Sequence, residues 1–163
     1  MRHTGAMIRL GTPADLAAAR EVFRNASLYN EGDRENLLAH PEYLVLGPEG
    51  LAEGRTYVAE QDGVLAGFAS WAENAEPAGA APAGAGQTAE LVDLFVDPAY
   101  LRRGIATALV RHVAGVLKAR GVRYLEVIAS PYALDFYHAA GFAGVGPAET
   151  DFGPALRMIL PIS

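Results

Sequence analysis

The most constraining stretch of this chain runs from residue 89 to residue 121. A β-rich run, residues 89–96, stops at Asp97-Pro98, because proline fixes φ and cannot donate to a ladder. The turn Leu101-Arg102-Arg103-Gly104-Ile105-Ala106-Thr107 follows. Residues 104–120 then carry the strongest helical pattern of the sequence. Ile105, Leu109, Val113, Val116 and Leu117 form its apolar stripe, and Gly121 ends it. A strand, a stop, a small-residue turn and a long helix call for a sheet and helices that share one core. The turn is also a ready anion site. A helix start presents amides without intrahelical acceptors and the positive end of the macrodipole, which suits a phosphate. Gly104 lets a ligand approach the backbone and Ala106 is nearly as small. Arg102 and Arg103 add charge, and Thr107 adds a hydroxyl. The same residues also make an ordinary strand–turn–helix joint with two solvated arginines, and the turn alone does not choose.

The rest of the chain reads around this segment. Residues 7–10 form a first strand. Thr12 can cap the next helix, Pro13 suits its first turn, and Asp15 complements its dipole. Leu16, Ala19, Val22 and Phe23 keep helical spacing to about Asn25. Leu37 and Leu38, broken by Pro41, predict a shorter second helix and a loop within residues 27–46. Residues 56–60 and 64–71 are strands joined at Asp62-Gly63, a strong hairpin signal. Residues 74–88 are an Ala/Gly/Pro-rich loop. Residues 124–128 form a strand, and residues 133–140 a short helix closed by Gly141. Residues 142–145 and 156–160 are the last strands. The order is β-α-α-β-β-β-α-β-α-β-β. It predicts an α/β (α+β) fold with a mixed, mostly antiparallel sheet of about seven strands and about four flanking helices. No repeat or dividing linker interrupts it. The expectation is one domain over residues 1–163, with residues 1–6 as a flexible tail.

Composition narrows the function. The 163 residues include no cysteine, which excludes disulfides, thiolate zinc sites and cysteine nucleophiles and fits a reducing compartment. Apolar residues make up 51% and charged residues 20%, a balance that supports a packed core. Thirteen basic and 19 acidic side chains give a net charge of −6, which disfavours nucleic acid as a partner. An acidic surface suits a cationic substrate and also simply keeps a protein in solution. No apolar run approaches the ~20 residues that span a bilayer, and the first six residues lack the apolar stretch of a secretory signal. These features lead us to expect a cytoplasmic protein without a membrane partner. His40, His112 and His138 are scattered, with no acid cluster that suggests a metal.

The residues from 90 to 142 carry a larger pattern. Leu94-Phe95-Val96-Asp97-Pro98, the turn to Thr107, a long helix, a strand, and Phe136-Tyr137-His138-Ala139-Ala140-Gly141-Phe142 stand in this order. The pattern resembles the GNAT superfamily of N-acetyltransferases, which transfer acetyl from acetyl-CoA to amines. That family carries a Gln/Arg-x-x-Gly-x-Gly/Ala turn whose amides hold the CoA pyrophosphate. Gly104 and Ala106 match its small positions; Leu101 stands at the Gln/Arg position and departs from it, and Arg102 can compensate. The resemblance is strong over roughly residues 55–145 and holds in outline before that.

The resemblance implies acetyl-CoA as co-substrate, no metal, and a small-molecule or protein amine as acceptor. Homodimers are common among the proteins it points to. It implies cofactor contacts from Leu94, Phe95 and Val96 on the strand before the turn. The turn adds Arg102, Arg103, Gly104, Ile105, Ala106 and Thr107. Ser130 falls where the family often has an asparagine at the start of the last helix, and a serine can cap there. Tyr137 occupies the place of the tyrosine that meets the CoA sulfur, and its neutral phenol can protonate a leaving thiolate. An alkylamine with pKa near ~10 must lose a proton before it attacks. Glu90 is the first candidate base, by its similarity to a strand glutamate of histone-acetylating members. Alternation puts Glu90, Val92, Leu94 and Val96 on one strand face and Asp93 on the other. Asp93 is the second candidate. Glu126 is the third, and matches a base of some protein-acetylating members when aligned by the strand, whereas Leu125 takes that place when aligned from Tyr137. Trp71 reads as half core and half pocket wall. Tyr29, Asn30 and His40 fall where the superfamily often builds its acceptor site. A non-catalytic acyl-CoA binding or sensing module of the same fold is the alternative. A dinucleotide-binding fold lacks its Gly-x-Gly-x-x-Gly turn after the first strand.

Overall fold

The computed structural model describes residues 5–73, 87–150 and 153–162. Most of the expected N-terminal tail, and the loop from residue 74 through residue 86, lie outside the described residues. Seven strands form one sheet: β1 Met7–Leu10, β2 Thr56–Gln61, β3 Val64–Glu73, β4 Thr88–Val96, β5 Tyr124–Ala129, β6 Ala143–Thr150 and β7 Gly153–Pro161. Their order is β1-β2-β3-β4-β5-β7-β6. The β4–β5 pair is parallel. The pairs β1–β2, β2–β3, β5–β7 and β6–β7 are antiparallel. The helices are α1 Leu16–Tyr29, α2 Glu31–Ala39, α3 Glu49–Ala52, α4 Ile105–Ala119 and α5 Leu134–Ala139. The mixed fold expected from the sequence is the one observed, and the one-turn α3 is the addition. No described helix is long and apolar enough to cross a membrane.

The chain groups into two compact units. The first comprises Met1–Ser70 and Asp93–His112. Its core is Ala19 and Val22 of α1 against Val58 and Phe68, with Phe23, Leu46, Leu65 and Phe95 packed around them. The α1 helix runs past Asn25 to Tyr29, since no glycine or proline interrupts it. It ends where Asn30 turns to extended backbone. Thr12 is the N-cap of a short 3-10 turn, Pro13–Asp15, and forms a capping box with Asp15, in which the Thr12 amide donates to Asp15 Oδ2 at 2.8 Å. The Arg9 guanidinium donates to both Asp15 oxygens at 2.9 Å and to Glu60 Oε1 at 3.2 Å, tying β1 to the start of α1 and to β2. The Thr56 and Ser70 hydroxyls share a buried hydrogen bond of 2.7 Å. Gly67 is required by packing: a Cβ there would stand 2.9 Å from the Phe95 carbonyl oxygen.

The second unit comprises Trp71–Val92 and Val113–Ser163. In it Thr88, Ala89 and Glu90 pair in register with Tyr124, Leu125 and Glu126. Along β5, Leu125, Val127 and Ala129 are buried on one face. Tyr124, Glu126 and Ile128 therefore share the other. The strands β6 and β7 are longer than expected. Gly144 and Gly146 flank a register shift and dilute the β signal there, yet the ladder continues through Thr150↔Gly153. Trp71 is buried, at 2% exposure, with the Arg120 guanidinium 4.9 Å above its ring. It is a core residue, where the sequence predicts half core and half pocket wall.

Candidate functional site

In the first unit the segment after β4 is built as the sequence suggested. Asp97 N–H donates to the Ala66 carbonyl at 2.8 Å, which anchors the end of β4. The Asp97 side chain accepts from Ala99 N–H at 3.0 Å and opens a short 3-10 turn, Pro98–Tyr100. Two left-handed residues follow, Arg102 at φ 64 and Gly104 at φ 77. A side chain rarely adopts this conformation, and here it bends the chain sharply just before α4. Left-handed residues beside a helix start turn successive amides toward one point, an anion-binding concavity. The Arg102, Arg103 and Gly104 positions are exposed. The Arg103 guanidinium rests 5.2 Å from the Tyr100 ring centre. Ile105 is 1% exposed, so its side chain is core and only its amide is offered. Ala106 and Thr107 are half-buried. The donor set therefore fits a diphosphate: backbone amides, the positive end of a 15-residue helix and two arginines.

Leu94, Phe95 and Val96 close β4 in the same unit. The Phe95 ring packs edge-on to Phe23, centroids 4.8 Å apart, and lies 5.6 Å from Phe68. Val96 is buried. What Phe95 and Val96 can offer a ligand is their backbone. Asp93, half-buried beside them, has its pKa raised by burial, while Ser70 and Arg55 pull the other way.

In the second unit Tyr137 sits in α5, at 7% exposure. Burial pushes its phenol above the ordinary value. Its ring meets Phe136 and Phe142 edge to face, with centroids 5.1 and 5.2 Å apart. The helix end explains the Phe-Tyr-x-x-x-Gly-Phe spacing. Phe142 N–H donates to the Tyr137 carbonyl at 2.9 Å, and Gly141 N–H to the His138 carbonyl at 3.1 Å. Gly141 adopts φ 103. This is a Schellman closure, whose hydrophobic contact falls between the rings of Tyr137 and Phe142. Ser130 is exposed and caps no helix with its side chain. Its carbonyl accepts from Ala133 N–H at 3.0 Å. The capping expected there is absent because a 3-10 turn, Pro131–Ala133, precedes α5.

Among the candidate bases, Glu90 is half-buried on β4 and lies in register with Glu126. Glu126 is 2% exposed and accepts from Arg157 Nη1 at 3.0 Å through Oε1. Arg157 was missed by the sequence reading. The signal was available: it is the one charged residue in the apolar run Ala155-Leu156-Arg157-Met158-Ile159-Leu160. In the first unit Tyr29 is 57% exposed, and His40 pairs with Glu42 at 3.2 Å on the surface. No group of three or more metal-ligating side chains occurs among the described residues. The structure thus collects Leu94–Val96, Asp93 and the turn residues in one unit, and Glu90, Glu126, Ser130 and Tyr137 in the other.

Comparison with known proteins supplies the context. Residues 16–142 match the model of the acetyltransferase (GNAT) family. An uncharacterized N-acetyltransferase of Methanocaldococcus jannaschii is 32% identical over 93 residues, which are 53% of this chain and 38% of that protein. The chain thus matches about two fifths of the length of that curated relative. Among solved structures, the PaiA N-acetyltransferase of Thermoplasma acidophilum, in complex with coenzyme A, aligns with TM-score 0.69 at 19% identity, over 96% of this chain and 98% of that one. The yncA protein of Salmonella typhimurium, solved with its cofactor acetyl-CoA, aligns at TM-score 0.67 and 22% identity, over 97% and 94%. The ribosomal-protein-S18-alanine N-acetyltransferase of Escherichia coli aligns at 0.66 and 24%, also over 97% and 94%.

Proposed function

The chain belongs to the acetyltransferase (GNAT) family, and from that membership we propose that it is an N-acetyltransferase using acetyl-CoA and a primary amine, joined directly in a ternary complex. The observation that carries this reading is the turn before α4, where left-handed Arg102 and Gly104 lead into a 15-residue helix. The solved relatives bound to coenzyme A and acetyl-CoA support the choice of ligand. On this reading the amides of residues 102–107 hold the diphosphate, with Arg102 and Arg103 adding charge. The backbone of Leu94, Phe95 and Val96 pairs with the pantetheine arm, and Ser130 adds a contact from the start of the last helix. Bound acetyl-CoA supplies the acetyl group as an activated thioester.

The protein's own groups do the rest. Glu90 accepts the proton that an alkylammonium acceptor must lose, directly or through water. A backbone N–H near Leu94 or Phe95 polarises the carbonyl oxygen. Tyr137 donates a proton to the departing sulfur, and its buried phenol stays neutral and able to donate. Holding both reactants in one geometry lowers the barrier further. The whole chain acts as one acetyltransferase domain, and its cysteine-free sequence suits the cytoplasm.

The test is incubation with acetyl-CoA and a panel of chemically distinct amines, followed by mass spectrometry and thiol release. N-acetylated product with matching free CoA supports the proposal. Coenzyme binding without product on any amine favours a non-catalytic acyl-CoA sensing module instead.

A further inference from the structure

The turn before α4 is tied to a residue that the reaction outlined above does not use. The side chains of residues 101–104 are exposed, so packing does little to fix the backbone that must present its amides. Hydrogen bonds to Asp97 do more. Its carbonyl accepts from Tyr100 N–H at 2.8 Å, and its Oδ1 accepts from Ala99 N–H at 3.0 Å. The second carboxylate oxygen is engaged from outside the segment: Asn25 Nδ2 donates to Asp97 Oδ2 at 3.0 Å, across 72 positions of sequence. Two residues before each partner, the Phe23 and Phe95 rings pack edge-on, centroids 4.8 Å apart. That apolar contact sets the spacing at which the Asn25 amide meets the carboxylate, and Ala19 and Val22 anchor α1 in the core. One Asp97 oxygen therefore holds the turn, and the other holds a helix that cannot shift freely. Asn25 is exposed within α1, where alanine is the better helix former. A single hydrogen bond adds only modestly to stability. Helix preference does not account for an asparagine at this position, whereas an orienting role does.

We propose that Asn25 is a positioning residue for coenzyme binding, acting through Asp97. By fixing the Asp97 carboxylate it keeps the segment from Pro98 to Gly104 in its binding conformation before the diphosphate arrives. An anion site made of backbone amides works only when those amides already converge. A turn ordered in advance spares the binding step the entropy of ordering it. Asn25 thereby raises coenzyme affinity from a helix that lies outside the turn. The inference rests on the acetyltransferase reading and deepens it, because it names what sets the affinity of the same site.

The experiment titrates coenzyme A into the full chain by calorimetry and pairs each titration with thermal unfolding without ligand. Asn25→Ala should weaken coenzyme A binding about three- to tenfold. Its melting temperature should stay within about 2 °C of wild type, since the helix preference of alanine offsets the lost bond. Asn25→Gln keeps an amide donor and should recover most of the affinity. Asn25→Asp sets one carboxylate against another and should bind more weakly than Asn25→Ala. On an Asp97→Ala background, Asn25→Ala should change affinity less than about 1.5-fold, because its partner is already gone. Arg20→Met is the control. Arg20 Nε makes another exposed tie from α1, to the Leu46 carbonyl at 2.9 Å, and its loss should leave coenzyme affinity at the wild-type value. In kinetics, Asn25→Ala should raise KM for acetyl-CoA with kcat within about twofold of wild type. Wild-type affinity in Asn25→Ala, or the same loss on the Asp97→Ala background, overturns this inference alone. A wild type that binds no coenzyme A overturns the acetyltransferase reading and this inference with it.

Discussion

Phe142 N–H donates to the Tyr137 carbonyl at 2.9 Å while the two rings pack edge to face, 5.2 Å apart. One residue pair therefore both ends α5 and holds the phenol in place. The closure needs Gly141 at φ 103, and a Cβ there would stand 3.1 Å from Leu160 Cδ1. Gly141→Ala should destabilise the protein by about 1–2 kcal/mol through backbone strain, read by denaturant unfolding. It should also lower kcat by displacing Tyr137.

Tyr137→Phe keeps the ring and removes the proton donor. The expected result is a fall in kcat of about 10–100-fold, with coenzyme affinity and melting temperature almost unchanged. Because burial raises the phenol pKa, Tyr137 stays protonated as pH rises through its ordinary value. The kcat profile of wild type should therefore show no loss from tyrosine ionisation up to about pH 10. Unchanged kcat in the variant, with chemistry shown to be rate-limiting, contradicts the acid role.

Glu90 and Asp93 are separated by their surroundings. Glu90→Gln should lower kcat about 100-fold, while Asp93→Asn should stay within about threefold of wild type. Asp93 also carries a pH signature. Its folded pKa is raised by burial, so its ionisation opposes folding, and stability falls as pH rises above the unfolded value of 3.8. Asp93→Asn should therefore melt higher than wild type at pH 7, with the gap closing toward pH 4.

Asp15 shows the opposite sign. The Arg9 guanidinium lowers its pKa from 3.8 to about 2. The stabilisation is present above pH 3.8 and is lost as pH falls through about 2. Asp15→Asn should cost about 1 kcal/mol at pH 7, after allowing for solvent screening of Arg9. The difference from wild type should vanish near pH 2 in urea unfolding.

Much of this was legible in the sequence, and the reasons differ by element. The α4 stripe was plain because Ile105, Leu109, Val113 and Leu117 are all buried and recur every four residues. Gly121 was plain as its stop: Val122 N–H returns to the Leu117 carbonyl at 3.0 Å, with Gly121 at φ 85. The extent of β6 and β7 was not legible, since Gly144, Gly146, Pro147 and Pro154 are poor strand formers held by pairing alone. Ser130 looked like a cap because local sequence favours one. The intervening 3-10 turn moves the α5 start away from it. The Glu126–Arg157 contact spans 31 positions. It depends on β5 and β7 being neighbours, which no local pattern encodes.

The measurement that bears most directly on the account is a crystal structure of the protein grown with coenzyme A. Diphosphate oxygens within about 3 Å of backbone nitrogens between Arg102 and Thr107 are the predicted result. Coenzyme bound elsewhere, with that turn filled by the protein's own side chains, would contradict it.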